Sequence, residues 1–359
     1  VDLNLTLTGW GPINKILNQL KNLGYFNRPL SSRLYLAIIL ALVSLQIYLL
    51  LAKFTQRTVL KKLLLLALAV ALIASLSYPF LSHDLFSYLF DAKIVWHYQK
   101  NPYQFSPDQF GSDPWLRFMH WTHRTYPYGP TWLIFTLIPA IFSFGRFIIN
   151  FYGLKLFSGL AFFISGWFLL KINNNDRRVF AYWFFNPFLL IEFLVNGHND
   201  LLMIGLFFAA LFFSQSKKSF LKAISFLASL GTKFISGLAL PLLIFKRRRF
   251  WATLFVFCSL VGFAWQIGRF QPWYFSWLYL AWPLMAITNF SWVLIFIFQA
   301  LLLIFKYQPF LATGSWQGTG HNLLFQVLLI SLAIFFLTLL PIFKKIIGRL
   351  LSLPLEEQD

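Results

Sequence analysis

Apolar runs of about 20 residues recur along the chain from Arg33 almost to its C-terminal end, each long enough to cross a hydrocarbon core of about 30 Å at about 1.5 Å per residue. That repetition dictates the class. With 58% hydrophobic and 11% charged residues, the chain is far too apolar for a soluble domain, whose charged share is near a quarter. The pattern predicts an all-α polytopic membrane protein of about 10–12 transmembrane helices. It predicts one transmembrane domain over residues 1–359, with a long outer loop at 81–130 and no separate soluble domain.

The N-terminal stretch lacks the basic start and continuous apolar core of a cleavable signal peptide. A net charge of +19 raises the question of nucleic acid, but the cations form clusters between the apolar runs rather than one basic face. Lys53, Arg57, Lys61 and Lys62, then Arg177 and Arg178, Lys217 and Lys218, 246–249, and Lys344 and Lys345 mark cytoplasmic loops by the positive-inside rule. No nucleic-acid partner is expected. Cys258 is the single cysteine, which excludes an intrachain disulfide and a cysteine-rich metal site.

Spans are expected at 33–53, 61–80, 147–171, 179–196, 201–213, 250–268, 273–288, 289–306 and 322–343. Two segments do not read as single crossings. Residues 131–144 are short, and because Lys171 and the Arg177–Arg178 pair both read as cytoplasmic, 131–171 make a net single crossing and 131–144 are a hairpin or a shallow helix. Residues 219–245 are interrupted at LGTKF, which reads as two short half-helices with Lys233 near the tip. Irregular backbone at that depth is tolerated where it is buried in protein or lines a wet cavity. With the basic clusters inside, the 81–130 loop, the GHND segment at 197–200 and the QPWY segment at 271–274 fall on the opposite, outer side.

Only eleven acidic residues occur in the chain, and a carboxylate in or at the end of a membrane helix costs roughly 2.5–3.5 kcal/mol unless it has a partner or a purpose. In HDLFSYLFDAK, Asp84, Tyr88 and Asp91 fall at i, i+4 and i+7, one face of an amphipathic helix lying at the outer interface. Two bland alternatives stand beside a functional one. Asp84 can cap that helix, and Asp91 can form an ion pair with Lys93 or Arg124.

NPFLLIEFLVNGHND places Glu192 inside an apolar span and closes the span with Asn196, His198, Asn199 and Asp200. His198 and Asp200 are donors that a divalent cation, Mg or Mn, can use, although their spacing is no dedicated ligand motif. Lys233 can meet a phosphate as a compact point charge or snorkel to the interface. Tyr126 and Tyr128 in YPYGPTW, and Gln271, Trp273 and Tyr274 in QPWYFSW, bring aromatic and amide groups to the same face, where interfacial belts also place them. Aromatic faces, hydroxyl-reading amides and a cation suit a sugar joined to a lipid phosphate. A carboxylate can then take the acceptor proton in a single inverting displacement.

HDLFSYLFDAKIVWHYQKNPYQFSPD, YPYGPTW, NPFLLIEFLVNGHND, LGTKF and QPWYFSW, in that order and spacing, resemble the polyprenyl-phosphate-mannose-dependent mannosyltransferases of glycosyltransferase fold class C, of the actinobacterial alpha-mannosyltransferase type. The resemblance implies a GT-C-like bundle in a bacterial plasma membrane, with the active site on the non-cytoplasmic side. It implies transfer of a hexose, mannose in this family, from a polyprenyl-phosphate donor to a lipid or glycan acceptor among the membrane lipids. It maps the catalytic aspartate onto Asp84, with Asp91 as the loop's second acid. His198, Asn199 and Asp200 would line the site, Lys233 would lie near the donor phosphate and QPWY would close it. His83 stands where the family often carries an acid, and FDA replaces its commoner WDG. A transporter or flippase would also carry buried charges and broken helices, but on inverted repeats and at the midplane; here the acids gather at one face and no repeat is seen.

Overall fold

The computed structural model describes residues 11–52, 57–285, 287–316 and 322–338. Asp2, Lys53, the Lys344–Lys345 cluster, the acidic tail and the end of the expected 322–343 span lie outside them. The described residues are helical and turn structure throughout, without a β-strand, as expected of an all-α membrane protein. They divide into two compact units, one drawn from 1–236 and 288–319, the other from 237–287 and 320–359.

In chain order the α-helices are α1 (Gly11–Lys21), α2 (Arg28–Leu51), α3 (Arg57–Leu76), α4 (Asp84–Trp96), α5 (Pro130–Phe142), α6 (Phe147–Ile172), α7 (Pro187–Leu189), α8 (Asp200–Gln215), α9 (Ser219–Thr232), α10 (Pro241–Ile244), α11 (Arg248–Trp265), α12 (Asn289–Thr313) and α13 (Asn322–Thr338). Among the described residues α2, α6 and α12 are long and apolar enough to cross a membrane by themselves. Phe180–Val195 and α8 pass the same test together but meet at 117°, as a broken span or a re-entrant loop does. Shorter apolar helices lie at Pro130–Phe142, Ser219–Thr232, Phe234–Ile244 and Asn322–Phe336.

The first unit carries α1 to α9 and α12. Helix α2 opens on Asn27, whose side chain accepts the Leu30 N–H, and packs along α12, which opens on Thr288 and stops at left-handed Gly314. Helix α8 lies between α6 and α9, and α5 touches α4, α6 and α9. Helix α5 is one helix of 13 residues, about 20 Å long, rather than a hairpin. Residues 179–196, expected as one regular span, are instead a π-helical turn at Phe180–Phe184, the short α7, and a second π-helical turn at Leu190–Val195. Asn186 and Pro187 interrupt the helix there, the amide accepting the Phe188 N–H and donating to Gln299 Oε1. The wider turn leaves the Val195 carbonyl free, and the buried Lys155 amine on α6 takes it at 2.8 Å.

In the second unit α11 packs on α13 and α10. Residues 273–288, expected as a span, form 3-10 turns at Pro272–Leu280 and Trp282–Leu284. The prolines at 272 and 283 start successive tight turns, and the aromatic content that mimics a span in hydropathy packs as short-range ring contacts such as Tyr274–Trp277 at 4.6 Å.

Candidate active site

The long loop is ordered by one carboxylate. Asp113 accepts the Trp115 N–H at 2.8 Å and the Tyr98 hydroxyl at 2.6 Å, and pairs with Lys93 at 2.5 Å. Lys93 also lies 4.0 Å from the centroid of the Trp115 ring. Burial pushes the Asp113 carboxyl up, but these donors hold it below the usual carboxylate range. Phe86, Phe118, Phe147 and Phe151 stack beneath. Helix α4 forms where the pattern puts it and is buried more fully than an interfacial helix, since Leu85 to Phe90 apart from Ser87 and Asp91 to Ile94 are all covered.

Asp84 opens α4 without capping it. The N-cap is His83, which makes no side-chain cap bond, and Ser82 Oγ accepts the Asp84 N–H at 3.3 Å. The carboxylate instead lies 3.4 Å from His198 Nδ1. Gly197 makes that approach feasible. It sits at φ +78°, a left-handed conformation that favours glycine, and a Cβ there would come 2.8 Å from Leu85 of α4. His198 Nε2 lies 3.2 Å from Glu192 Oε2. Glu192, fully buried, also accepts from Tyr307 at 2.8 Å and from Asn196 Nδ2 at 3.1 Å. Lys233, the residue that ends α9, holds both oxygens of Asp200 at 2.9 and 3.0 Å.

The YPYG and LGTK motifs meet backbone to backbone. The Gly129 N–H reaches the Thr232 carbonyl, and a side chain at Gly129 would collide with the Gly231 peptide. Tyr128 is thereby fixed edge-on to Tyr88 at 5.3 Å. Burial raises the Tyr128 hydroxyl, and the charges of Asp84, Asp200 and Asp91 add to the rise. Tyr126 has a structural job, donating to the Gly129 carbonyl at 3.2 Å.

The structure therefore brings Asp84, Tyr88, Tyr128, Asn196, His198, Asp200 and Lys233 together. His83 is exposed and stacks on His120 at 5.7 Å. Asn199 is buried, and its side-chain nitrogen has no hydrogen-bond partner among the described residues. Asp91 is buried, and no hydrogen bond or ion pair joins it to another described residue. Of the two cations considered for it, Lys93 belongs to Asp113, and Arg124 lies over the Trp121 ring at 4.3 Å. Burial alone pushes the Asp91 carboxyl well above the usual range. Gln271, Trp273 and Tyr274 are half-buried on the 3-10 turns of the second unit.

Asp84 differs from its acidic neighbours in being open. Its side chain is 21% exposed, whereas Glu192 and Asp200 are at 0%. Burial raises it, but the His198 hydrogen bond and the charges of His198, Lys233 and His83 hold it below the ordinary aspartate value. His198 and Asp200 do not fit a divalent cation, because each faces a partner within the protein. Among the described residues no three metal-ligating side chains converge.

Residues 5–249 match the model of the family described as alpha-(1->6)-mannopyranosyltransferase, N-terminal domain. The chain belongs to that family. The matched stretch holds Asp84, the GHND segment and Lys233, and ends before Gln271 and Tyr307. The chain is 26% identical over 173 residues to alpha-(1->6)-mannopyranosyltransferase A of Corynebacterium glutamicum, covering 46% of this chain and 35% of that protein. It is 26% identical over 176 residues to the Mycobacterium tuberculosis protein of the same name, covering 47% and 34%. The match thus spans about a third of the length of these relatives. No solved structure matches.

Glu192 and Tyr307 join the site from outside the predicted set. An acid alone in an apolar span is a signal the sequence does carry for Glu192. Tyr307 offers none, since its contact with Glu192 is made across 115 positions.

Proposed function

We propose that the chain is a membrane mannosyltransferase that transfers mannose from a polyprenyl-phosphate donor to a hydroxyl of a lipid or glycan acceptor. Family membership supports the sugar, and the printed names of the relatives supply an alpha-(1->6) linkage. The observation that carries the reading is Asp84, a partly exposed carboxylate kept ionised at the junction of α4 and the GHND segment. Every other acid in the cluster is enclosed.

In this mechanism Asp84 takes the acceptor proton as the acceptor oxygen bonds to the anomeric carbon. The bond from that carbon to the phosphate oxygen breaks, and the electron pair leaves with the phosphate. Lys233, 20% exposed at its side chain, neutralises the departing phosphate. One displacement inverts the anomeric centre, so an alpha product requires a beta-linked donor. Tyr128 packs on the sugar with Tyr88 edge-on behind it, and Asn199 stands where a hydroxyl is read. Asp91, enclosed and raised by burial, supports the α4 face behind Asp84 rather than acting as a second base. The reaction takes place at the non-cytoplasmic face of a bacterial plasma membrane.

The test is transfer from radiolabelled polyprenyl-phosphate-mannose by membranes expressing this chain, beside membranes expressing Asp84→Asn at equal level. Transfer by the first alone is expected. Equal transfer by both would remove Asp84 from the chemistry.

A further inference from the structure

The chain Asp84, His198, Glu192, Tyr307 runs from the open edge of the site to its fully buried back, and only its first member is used by the mechanism above. We propose that Glu192 is a positioning residue which, held by Tyr307, keeps His198 doubly protonated and aimed at Asp84. This rests on Asp84 being the base.

A neutral imidazole carries one N–H and one lone pair. Both ring nitrogens of His198 lie within ion-pair distance of carboxylate oxygens, Nδ1 at 3.4 Å from Asp84 and Nε2 at 3.2 Å from Glu192. A lone pair turned toward either carboxylate would be repelled, so the arrangement selects the imidazolium. Glu192 cannot swing away. Tyr307 on α12 donates to one oxygen, Asn196 donates to the other, and the π-helical turn that carries Glu192 is braced by Lys155 of α6 on the Val195 carbonyl. Besides Lys155, the charged or titratable groups around this chain are His83, Tyr88 and Tyr128 beside Asp84, the Asp200–Lys233 pair of α8 and α9, and Tyr35 of α2, which bonds the Leu303 carbonyl at 3.3 Å.

One chemical consequence separates this from a simple packing role. With Nδ1 already bearing a proton, His198 cannot receive the one that Asp84 takes from the acceptor, so that proton leaves Asp84 for water. His198 instead fixes one Asp84 oxygen and leaves the other to the acceptor hydroxyl. Removing the charge of Glu192 frees the imidazolium to deprotonate at lower pH, since a neighbouring opposite charge at this range is worth about one to three pH units. Asp84 then loses its orienting donor.

The experiment uses the full chain in membranes with polyprenyl-phosphate-mannose as the probe, and compares wild type, Glu192→Gln, Glu192→Asp, Tyr307→Phe and Asp84→Asn across pH. Glu192→Gln is expected to lower kcat about 100-fold, the scale of a misplaced catalytic group, with KM for the donor little changed. Its alkaline limb should move to lower pH by about one to three units. Glu192→Asp should recover part of the loss, and Tyr307→Phe should show a smaller shift in the same direction. An Asp84→Asn protein as active as wild type would overturn the reading of Asp84 itself. An inactive Asp84→Asn beside a Glu192→Gln with unchanged kcat and alkaline limb would overturn the positioning role alone. Should Glu192→Gln fail to accumulate, unchanged alkaline limbs in both Glu192→Asp and Tyr307→Phe would overturn it equally.

Discussion

Asp113 and Asp84 belong to the same long loop, and their surroundings treat them in opposite ways. Asp113 is enclosed by an ammonium, a phenol and a peptide N–H, so its charge is spent on holding the loop to α4. Asp84 has one polar side-chain partner at a longer 3.4 Å, and keeps part of its surface open. Both carboxyls are held below the usual range, so ionisation does not tell them apart. Unused hydrogen-bonding capacity does. A carboxylate whose acceptor sites are filled stabilises the fold, whereas one held by a single side from behind can still act on something in front of it.

The comparison breaks most sharply at Asp84→Asn, which is expected to lower transfer by about 10²–10⁴-fold, the usual worth of a general base, while Tm in detergent falls only modestly, since its depressed carboxyl contributes some stability. Lys93→Met should do the reverse. It leaves Asp113 a buried carboxylate without its cation, a loss of roughly 3–5 kcal/mol, read as a lower Tm with turnover per folded molecule retained. A comparable Tm loss in Asp84→Asn would erase the contrast.

A pH series sharpens it further. Because Asp113 has a depressed folded pKa, its stabilisation is present above the unfolded value of roughly 3.9 and is lost as pH falls through the folded one. Wild-type Tm should therefore drop in acid below that value, and the drop should flatten in Lys93→Met. The smallest expected effect is at Asp91. Its raised pKa means that folding must take up a proton at neutral pH, so stability falls as pH rises above the unfolded value of roughly 3.9. Asp91→Asn should raise Tm modestly near neutrality and not at all in acid, with transfer reduced less than about tenfold. A loss as deep as that of Asp84→Asn would make Asp91 a second base.

The long regular helices α2, α6, α8 and α12 were legible because length and apolarity are additive properties of a segment. The break at Lys233 was legible too, since a lysine and a glycine in a short apolar run conflict with a simple crossing. Residues 273–288 were misread because hydropathy cannot distinguish an aromatic-rich series of 3-10 turns from a span. The helical face shared by Asp84 and Asp91 follows from their spacing, but about 10 Å of helix rise separates them. That distance brings the first against GHND and leaves the second enclosed in the loop. The pairing of His198 with Glu192, Lys93 with Asp113 and Tyr307 with Glu192 depends on contacts made only after the elements pack, and no local pattern encodes them.

The contact between Gly129 and Gly231 sets a dimension. Where peptide touches peptide, the spacing is fixed by backbone van der Waals radii and not by side chains, which can change rotamer. The span between Tyr128 and Lys233 therefore has a fixed calibre at its root. Only the reach of those two side chains remains adjustable, and any residue larger than glycine at either position would act as a wedge that resets the gauge for both motifs at once.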